Sequence, residues 1–317
     1  MDLSIIFPVR NIENEISAIV RHLNLQASTI SCELIIVDMG SDDMTVVTAL
    51  QVIQRTGING CVVQNGLVSP ADALNSGLQK ARGKYITFLF ARRIYGDVIA
   101  DYFTAAETSE ADIVFGSSSL EDSRIAERLS VSKVVKNKQG PEYLTTLLEE
   151  KLSIDIASVL IRRKFLVENH IWFHENCLFG YADEFLYRCL LYGQEVVQSP
   201  VIPQRIPQLE MPSAKVQPVG PEIFQEIEAM LRVRDLFWCE QSGDSALLEA
   251  MDFQRIPRAV MHCIDVLLLE GLPRATVQKE LKDRSYHHLL RIGKPTLKPL
   301  KKKILLWKMP LRHYHPY

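Results

Sequence analysis

Short apolar runs alternate with segments of helical spacing along the first two-thirds of the chain. The runs predict buried strands, because parallel strands that are covered on both faces carry apolar residues at nearly every position. Between the runs, apolar residues recur three and four positions apart, which predicts helices. The predicted strands are Leu3–Phe7, Leu34–Val37, Cys61–Val63, Tyr85–Phe90, Ala111–Phe115 and Ala157–Ile161. The alternation predicts an α/β fold with a mostly parallel central sheet flanked by helices, in which the first four strands are neighbours.

The pattern changes after residue 200. A proline-rich stretch is followed by segments with helical spacing, at Glu222–Cys239, Ile256–Leu269 and Pro273–Leu290. We therefore expect an α/β domain over residues 1–200, a linker over 201–220, a helical extension over 221–290 and a basic tail over 291–317.

Composition is that of an ordinary globular protein, with 47% hydrophobic and 23% charged residues in a chain of 317. The sequence has no apolar run long enough for a transmembrane helix and no basic leader before the first strand. Its six cysteines are scattered without a C-x-x-C pair, which favours reduced thiols. These features predict a cytoplasmic protein.

Charge is distributed unevenly. Residues 291–317 contain eight Lys or Arg and no Asp or Glu, whereas the remainder carries 28 basic and 38 acidic residues. An acidic body excludes a general nucleic-acid binder. The segment Lys298–Lys308 mixes lysines with Leu, Ile and Trp, which is typical of a contact with an anionic membrane surface and would place the protein peripherally at the inner membrane face. The alternatives are a tail packed on the acidic body and a disordered tail.

Two common phosphate-binding motifs are missing from the sequence. No G-x-G-x-x-G follows the first strand and no G-x-x-x-x-G-K-[ST] occurs, which argues against a dinucleotide-binding Rossmann domain and a P-loop nucleotidase. Polar loops instead follow four predicted strands, at Pro8–Glu13, Asp38–Asp43, Val68–Asp72 and Ala91–Arg93. Because ligands of parallel sheets bind at the carboxyl ends of the strands, we expect these loops to form the ligand site.

Five segments, in order, carry a resemblance to a known family. They are Pro8-Val9-Arg10-Asn11-Ile12-Glu13, Val37-Asp38-Met39-Gly40-Ser41-Asp42-Asp43, Ala73-Leu74-Asn75-Ser76-Gly77-Leu78 with Ala81–Ile86, Leu160–Leu166, and Phe179-Gly180-Tyr181-Ala182-Asp183-Glu184-Phe185. They resemble, in the same order, five segments of the family 2 glycosyltransferases. Those segments are P-V-Y-N-x-E, V-D-D-G-S-x-D, A-R-N-x-G-L, the strand and helix before the acceptor site, and F-G-E-D-x-x-F. The resemblance covers about residues 3–193 and implies the GT-A fold.

The resemblance implies a nucleotide-sugar donor and a glycan or lipid-linked acceptor. It implies that Pro8, Asn11, Glu13, Asp38 and Asn75 help to bind the nucleotide sugar. The function expected from it is sugar transfer in the synthesis of a surface polysaccharide or glycoconjugate, of the hexosyl type. No cofactor is expected besides this donor.

The sequence departs from the family at the metal position. The family ends its fourth strand with a D-x-D pair that holds a divalent ion, whereas this chain has Phe90-Ala91-Arg92-Arg93. Mg²⁺ and Mn²⁺ need oxygen ligands, and arginine offers only donors, so no metal is expected here. Arg92 and Arg93 could replace the metal by binding the diphosphate directly, or form structural ion pairs. Met39 replaces the family's second acid, so a UDP donor is not specified.

The acceptor side is altered as well. The family's general base falls on Ala182, and Asp183 and Glu184 lie one and two residues later, so these two acids are the candidate catalytic residues. Two hypotheses remain open. One is a metal-independent transferase, and the other is a non-catalytic GT-A module that binds a partner enzyme or a glycan.

Overall fold

The computed structural model describes residues 1–96, 98–116, 136–212, 219–240, 245–309 and 314–316. Contacts divide the chain into two compact units. The first unit comprises Met1–Tyr143, Leu152–Cys177 and Arg188–Lys215. The second comprises Leu144–Lys151, Leu178–Tyr187 and Val216–Tyr317.

The first unit is built on a mostly parallel sheet of eight strands among the described residues. The strands are β1 Leu3–Val9, β2 Cys32–Asp38, β3 Gly60–Gln64, β4 Tyr85–Phe88, β6 Ile113–Gly116, β7 Lys136–Lys138, β8 Val159–Arg162 and β9 Val196–Ser199. Their order across the sheet is β3-β2-β1-β4-β8-β6-β9-β7. A separate pair joins β5 Tyr95–Gly96 to β10 Gln204–Arg205. The central strand β1 is buried over its whole length, as expected for a strand with parallel neighbours on both edges and helices on the sheet.

The predicted neighbourhood of the first four strands is confirmed. β1 pairs in parallel with β2 and with β4, and β2 pairs in parallel with β3. The structure extends β1 through Pro8 to Val9. Its pairing with β4 ends at Ile6↔Phe88, before Pro8 is reached. The absence of an N–H on Pro8 therefore costs no hydrogen bond between β1 and β4.

Not every strand is parallel to its neighbours, although the alternation of strands and helices predicts parallel pairing. β8 runs antiparallel to both β4 and β6, and β7 runs antiparallel to β9. Strand β9 lies just before the proline-rich stretch, and its four residues are too few to show a period in the sequence. The direction of β8 is set by its pairing partners, which local hydrophobicity does not encode.

Helices cover the sheet and form most of the second unit. Their bounds are α1 Ile16–Gln26, α2 Thr45–Thr56, α3 Pro70–Lys80, α4 Ile99–Ser109, α5 Gly140–Leu148, α6 Arg163–Glu168, α7 Tyr181–Tyr192, α8 Gln225–Glu240, α9 Ser245–Ala250, α10 Ile256–Leu269, α11 Arg274–Asp283 and α12 Lys298–Lys308. The predicted cap of α3 is present, since Ser69 accepts a hydrogen bond from the N–H of Asp72. None of the described helices is long and apolar enough to cross a membrane.

The predicted helices of the second unit occur in the predicted order, and one of them ends earlier than predicted. Helix α10 has the predicted bounds, and the π-helical turn Met251–Arg255 precedes it. A wider turn of this kind accommodates Pro257, which cannot donate a helical hydrogen bond. The third predicted helix ends at Asp283 rather than Leu290, because Ser285 adopts a left-handed conformation with φ of 62°.

The basic tail contributes helix α12 to the second unit. Leu300, Ile304 and Trp307 lie on one face of this helix and are buried. The guanidinium of Arg274 stacks on the Trp307 ring at 4.9 Å and donates to the Trp307 carbonyl at 2.7 Å. The apolar face of the tail is therefore occupied within its own unit, and its lysines Lys298, Lys301 and Lys302 are exposed.

Candidate functional site

The loops that follow β1 and β2 are joined by reciprocal hydrogen bonds. The side-chain oxygen of Asn11 accepts from the N–H of Asp42 at 3.0 Å, and the N–H of Asn11 donates to the Ser41 hydroxyl at 3.0 Å. Asn11 has a φ of 53°, a left-handed conformation that asparagine tolerates better than most residues. Asn11 therefore fixes one loop against the other.

Glu13 makes the second connection between these loops. Its carboxylate accepts from the N–H of Met44 at 2.9 Å, and its own N–H donates to the carboxylate of Asp43 at 3.2 Å. The N–H of Ile12 donates to the Thr45 hydroxyl at 2.8 Å. One of these bonds satisfies the N–H of Met44 at the start of α2, where a helix leaves backbone donors without internal partners, and the other two satisfy N–H groups in the loop before α1.

Asp38 ends β2 and is 4% exposed. Its carboxylate accepts from the N–H groups of Gly40 and Ser41, at 3.2 Å each. Gly40 has a φ of 74°, and a Cβ at this position would lie 3.0 Å from the backbone of Gly66 and Leu67. The turn therefore requires glycine, and Asp38 holds it in place. Across the pairing of β1 with β2, Val9 lies opposite Asp38, and Pro8 lies opposite the preceding residue, Val37.

The segment after β4 presents the two arginines. Phe90 and Arg93 form an isolated bridge around the turn, and Arg93 donates from Nη1 to Asp155 Oδ2 at 2.9 Å. The Arg92 side chain is exposed and has no partner within the described residues. Its carbonyl accepts from Arg205 at 3.1 Å. Arg92 thus has a free guanidinium, whereas that of Arg93 is engaged.

Asp155 was not among the residues that the sequence indicated. It accepts from the Tyr95 hydroxyl at 2.8 Å as well as from Arg93, and it caps the 3₁₀ turn Ile156–Ser158 through the N–H of Ala157. Burial and the neighbouring Asp155 charge raise the pKa of Tyr95 above its ordinary value. The turn-capping position of Asp155 was visible in the sequence, but its partners lie 60 and 62 residues away.

Asn75 lies in α3 with its side chain 8% exposed. Its amide nitrogen donates to the Phe173 carbonyl at 2.9 Å, and its amide oxygen accepts from the Phe173 N–H at 2.9 Å. Both ends of the amide are therefore used to hold the chain at Phe173. The role of Asn75 in binding a nucleotide sugar stays a prediction.

Asp183 and Glu184 lie in the first turn of α7 and belong to the second unit. Arg255 donates to Asp183 at 2.5 Å. Arg232 donates to both carboxylate oxygens of Glu184, at 3.0 and 2.6 Å. Neither arginine was indicated by the sequence, because each lies more than 40 residues from its acid. Arg232 lies in a segment whose amphipathic spacing predicts only packing, and Arg255 lies just before another. The structure thus places each candidate base in an ion pair.

The comparison with family models matches residues 4–170 to Glycosyl transferase family 2. This match spans more than half of the chain and includes the loops after β1, β2 and β4. The chain belongs to glycosyl transferase family 2.

Solved structures support the GT-A fold of this family 2 member. Staphylococcus aureus TarS 1-349 in complex with UDP-GlcNAc is 16% identical, with 88% of this chain and 84% of that chain covered and a TM-score of 0.61. The complex of the same protein with UDP is 18% identical, with 91% of this chain and 86% of that chain covered and a TM-score of 0.60. The mannosyltransferase PcManGT from Pyrobaculum calidifontis, in complex with GDP-Man and Mn²⁺, is 14% identical, with 96% of this chain and 84% of that chain covered and a TM-score of 0.54. No curated protein sequence matches the chain significantly.

The residues at the exit of β4 do not fit a divalent cation in this family 2 member. Arg92 and Arg93 offer only donors, and Asp155 already accepts from Arg93 and Tyr95. No group of three or more His, Cys, Asp or Glu in the part of the chain that the structure describes could hold a metal ion. The geometry of this segment suits an anion better than a cation.

Proposed function

We propose that this family 2 glycosyltransferase transfers a sugar from a nucleotide sugar without using a divalent metal. The observation that carries the proposal is the order of the strands. β1 lies between β2 and β4 and is parallel to both, so the loop held by Asp38 and the Arg92–Arg93 segment follow strands that end at the same edge of the sheet. Ligands of parallel sheets bind at this edge. The complex of the similar TarS fold with UDP-GlcNAc supports a nucleotide sugar as the donor.

The proposed chemistry is an inverting displacement. An acceptor hydroxyl attacks the anomeric carbon of the donor, the bond from that carbon to the diphosphate oxygen breaks, and the nucleotide diphosphate leaves with its electron pair. The exposed guanidinium of Arg92 would stabilise the charge on the leaving diphosphate through charge-assisted hydrogen bonds. Arg93 donates to Asp155 from Nη1, so it could contribute through its other N–H groups or by leaving Asp155.

The general base would come from the first turn of α7. Asp183 is the better candidate, because 44% of its side chain is exposed, whereas the side chain of Glu184 is 6% exposed and is held at both oxygens by Arg232. A carboxylate accepts the acceptor proton only when it can reach the hydroxyl. Because Arg255 holds Oδ2 of Asp183, the proton would be accepted by Oδ1 or after Asp183 has parted from Arg255.

A second function is favoured by the same ion pairs. If both carboxylates stay bound to their arginines, the fold would act as a non-catalytic GT-A module that binds a partner enzyme or a glycan. The transferase proposal includes a hexosyl donor, a glycan or lipid-linked acceptor, and a place in the synthesis of a surface polysaccharide or glycoconjugate. The two functions differ in whether a donor nucleotide is bound and turned over.

Calorimetric titration with UDP and GDP, in EDTA and in Mn²⁺, tests the proposal. We expect binding that does not require Mn²⁺ and that Arg92→Ala weakens about 10- to 150-fold, the effect of losing one charged hydrogen bond. Arg21→Ala, which removes an exposed arginine of α1, is the matched control and should bind like the wild type. Release of free nucleotide from UDP- or GDP-sugars then measures turnover.

Three outcomes would contradict the proposal. Binding that requires Mn²⁺ would contradict metal independence. Binding that is indifferent to Arg92 and Arg93 would remove their role. The absence of nucleotide binding under all conditions would favour the non-catalytic module.

A further inference from the structure

The second unit contains a pocket that neither the motifs nor the proposed transfer reaction uses. Its walls come from α8, from α10 with the preceding π-helical turn, and from the tail helix α12. Its volume is about 710 Å³, within the range of sites that hold small molecules. All of its lining residues lie between Glu226 and Leu306.

One part of the pocket wall is apolar. It includes Met261 from α10 and Leu300 and Leu306 from α12. A ligand with a hydrocarbon portion would gain free energy by covering it, about 25 cal/mol for each Å² removed from water.

Basic side chains line the rest of the pocket, and two of them, Arg255 and Arg258, are paired with acids outside the lining, Asp183 and Glu150. The two acids that line it, Glu226 and Asp265, are each paired with a basic side chain: Glu226 with His262 at 2.6 Å, and Asp265 with Lys303. Neither carboxylate is therefore left to repel an anion or to attract a metal ion.

One donor remains available in this pocket. Lys302 is exposed and makes no ion pair or side-chain hydrogen bond with the part of the chain that the structure describes. Arg255 also lines the pocket, but its Nη2 donates to Asp183 and its Nε is buried away from the pocket surface. The ammonium of Lys302 can therefore donate charge-assisted hydrogen bonds to a bound anion.

We propose that this pocket binds an anionic amphiphile, a phosphate monoester that carries an alkyl chain. The phosphate contacts Lys302, and the chain covers Met261, Leu300 and Leu306. Phosphate suits this position because an ammonium donates charge-assisted hydrogen bonds to its oxygens. The inference does not depend on nucleotide-sugar transfer, since no residue of the loops after β1, β2 or β4 takes part.

Octyl phosphate is the probe, and calorimetric titration into the full chain is the measurement. We expect octyl phosphate to bind, and inorganic phosphate and the uncharged octyl glucoside to bind at least about tenfold more weakly, because each lacks one of the two interactions. If either compound binds as tightly as octyl phosphate, the proposal is overturned.

The tail helix offers matched pairs of variants. Lys302→Gln should weaken binding of octyl phosphate about tenfold or more, whereas Lys301→Gln removes the same charge one residue away, outside the pocket lining, and should not. Leu306→Ala should weaken it about threefold or more, and Leu305→Ala, at an exposed position outside the lining, should not. Equal effects within either pair would overturn the assignment to this pocket. Melting temperatures identify any variant that fails to fold, and the other pair then decides.

Vesicles distinguish a membrane lipid from a soluble amphiphile as the source of this chemistry. Phosphatidylcholine vesicles with and without phosphatidic acid are added to the octyl phosphate complex. Displacement only by vesicles that contain phosphatidic acid supports a membrane lipid. Retained octyl phosphate in the presence of both supports a soluble ligand of the same class. Displacement by phosphatidylcholine alone would overturn the requirement for an anionic phosphate monoester.

Discussion

Arg255 donates from Nη2 to Oδ2 of Asp183 at 2.5 Å, and the arginine is the more deeply buried partner, with 16% of its side chain exposed against 44% for Asp183. The guanidinium also lies 5.8 Å from the centre of the Tyr187 ring. Asp183 thus compensates a largely buried cation within the second unit. Any catalytic use of Asp183 would compete with this structural use.

Asp183→Asn is expected to destabilise the second unit by about 2 kcal/mol, because it removes a charged hydrogen-bond acceptor from a buried arginine. The control is Asp235→Asn, which removes the partner of Arg234 from a pair whose carboxylate is 69% exposed. That change should cost less than about 1 kcal/mol. Urea unfolding of both variants measures the difference, and equal losses of stability would show that burial of Arg255 does not matter.

Asn75→Ala is expected to destabilise the first unit by about 2–4 kcal/mol, because it leaves the buried N–H and carbonyl of Phe173 without their partners. Asn65→Ala is the amide-matched control, since the Asn65 side chain is less buried and donates one bond, to Ser76. Thermal unfolding compares the two. If Asn75→Ala keeps the wild-type stability but loses UDP or GDP binding, its main role is in the ligand site rather than in holding Phe173.

The exposed lysines of α12 are predicted to favour anionic membranes. Each lysine near such a surface contributes about 1 kcal/mol, so the double change Lys298→Gln and Lys301→Gln should weaken binding to anionic vesicles about 30-fold. Lys279→Gln with Lys282→Gln on α11 removes the same charge from exposed positions elsewhere. Co-sedimentation with vesicles compares the two.

These variants are a sharper test than deletion of residues 291–317. Deletion would also remove the buried side chains Leu300, Ile304 and Trp307, and loss of folding would then be mistaken for loss of membrane binding. Equal vesicle binding by both double variants and the wild type would reject the membrane contact.

The pair of His262 with Glu226 predicts a pH dependence of stability. The hydrogen bond from His262 to the Glu226 carboxylate raises the pKa of His262 despite partial burial and the nearby Arg255 charge, with Asp265 adding to the increase. Because the pKa of His262 is higher in the folded than in the unfolded protein, protonation of His262 stabilises the folded state. This stabilisation is complete below the unfolded pKa of about 6.5 and is lost as the pH rises through the folded pKa.

The difference in the free energy of unfolding between the wild type and His262→Gln should therefore become smaller as the pH is raised from about 6 to about 9. Urea unfolding at several pH values measures it. A difference that stays constant or grows with pH would show that the protonated histidine does not stabilise this pair.

The sequence by itself determined the elements whose signals are local. Continuous apolar runs identified β1, β2 and β4, and three- to four-residue spacing identified α10 with its observed bounds. The strand-end position of Asp38 and the arginines after β4 were also visible, because both depend on a few consecutive residues. The same information supported the family and the GT-A fold.

Tertiary structure alone decided the partners of the polar side chains. Asn75 meets Phe173 across 98 residues, Asp183 meets Arg255 across 72, and Arg93 meets Asp155 across 62. The antiparallel direction of β8 likewise depends on its neighbours in the sheet. Local periodicity reports whether a residue faces the core or water, but a hydrogen bond or an ion pair depends on which distant groups packing brings within about 3 Å.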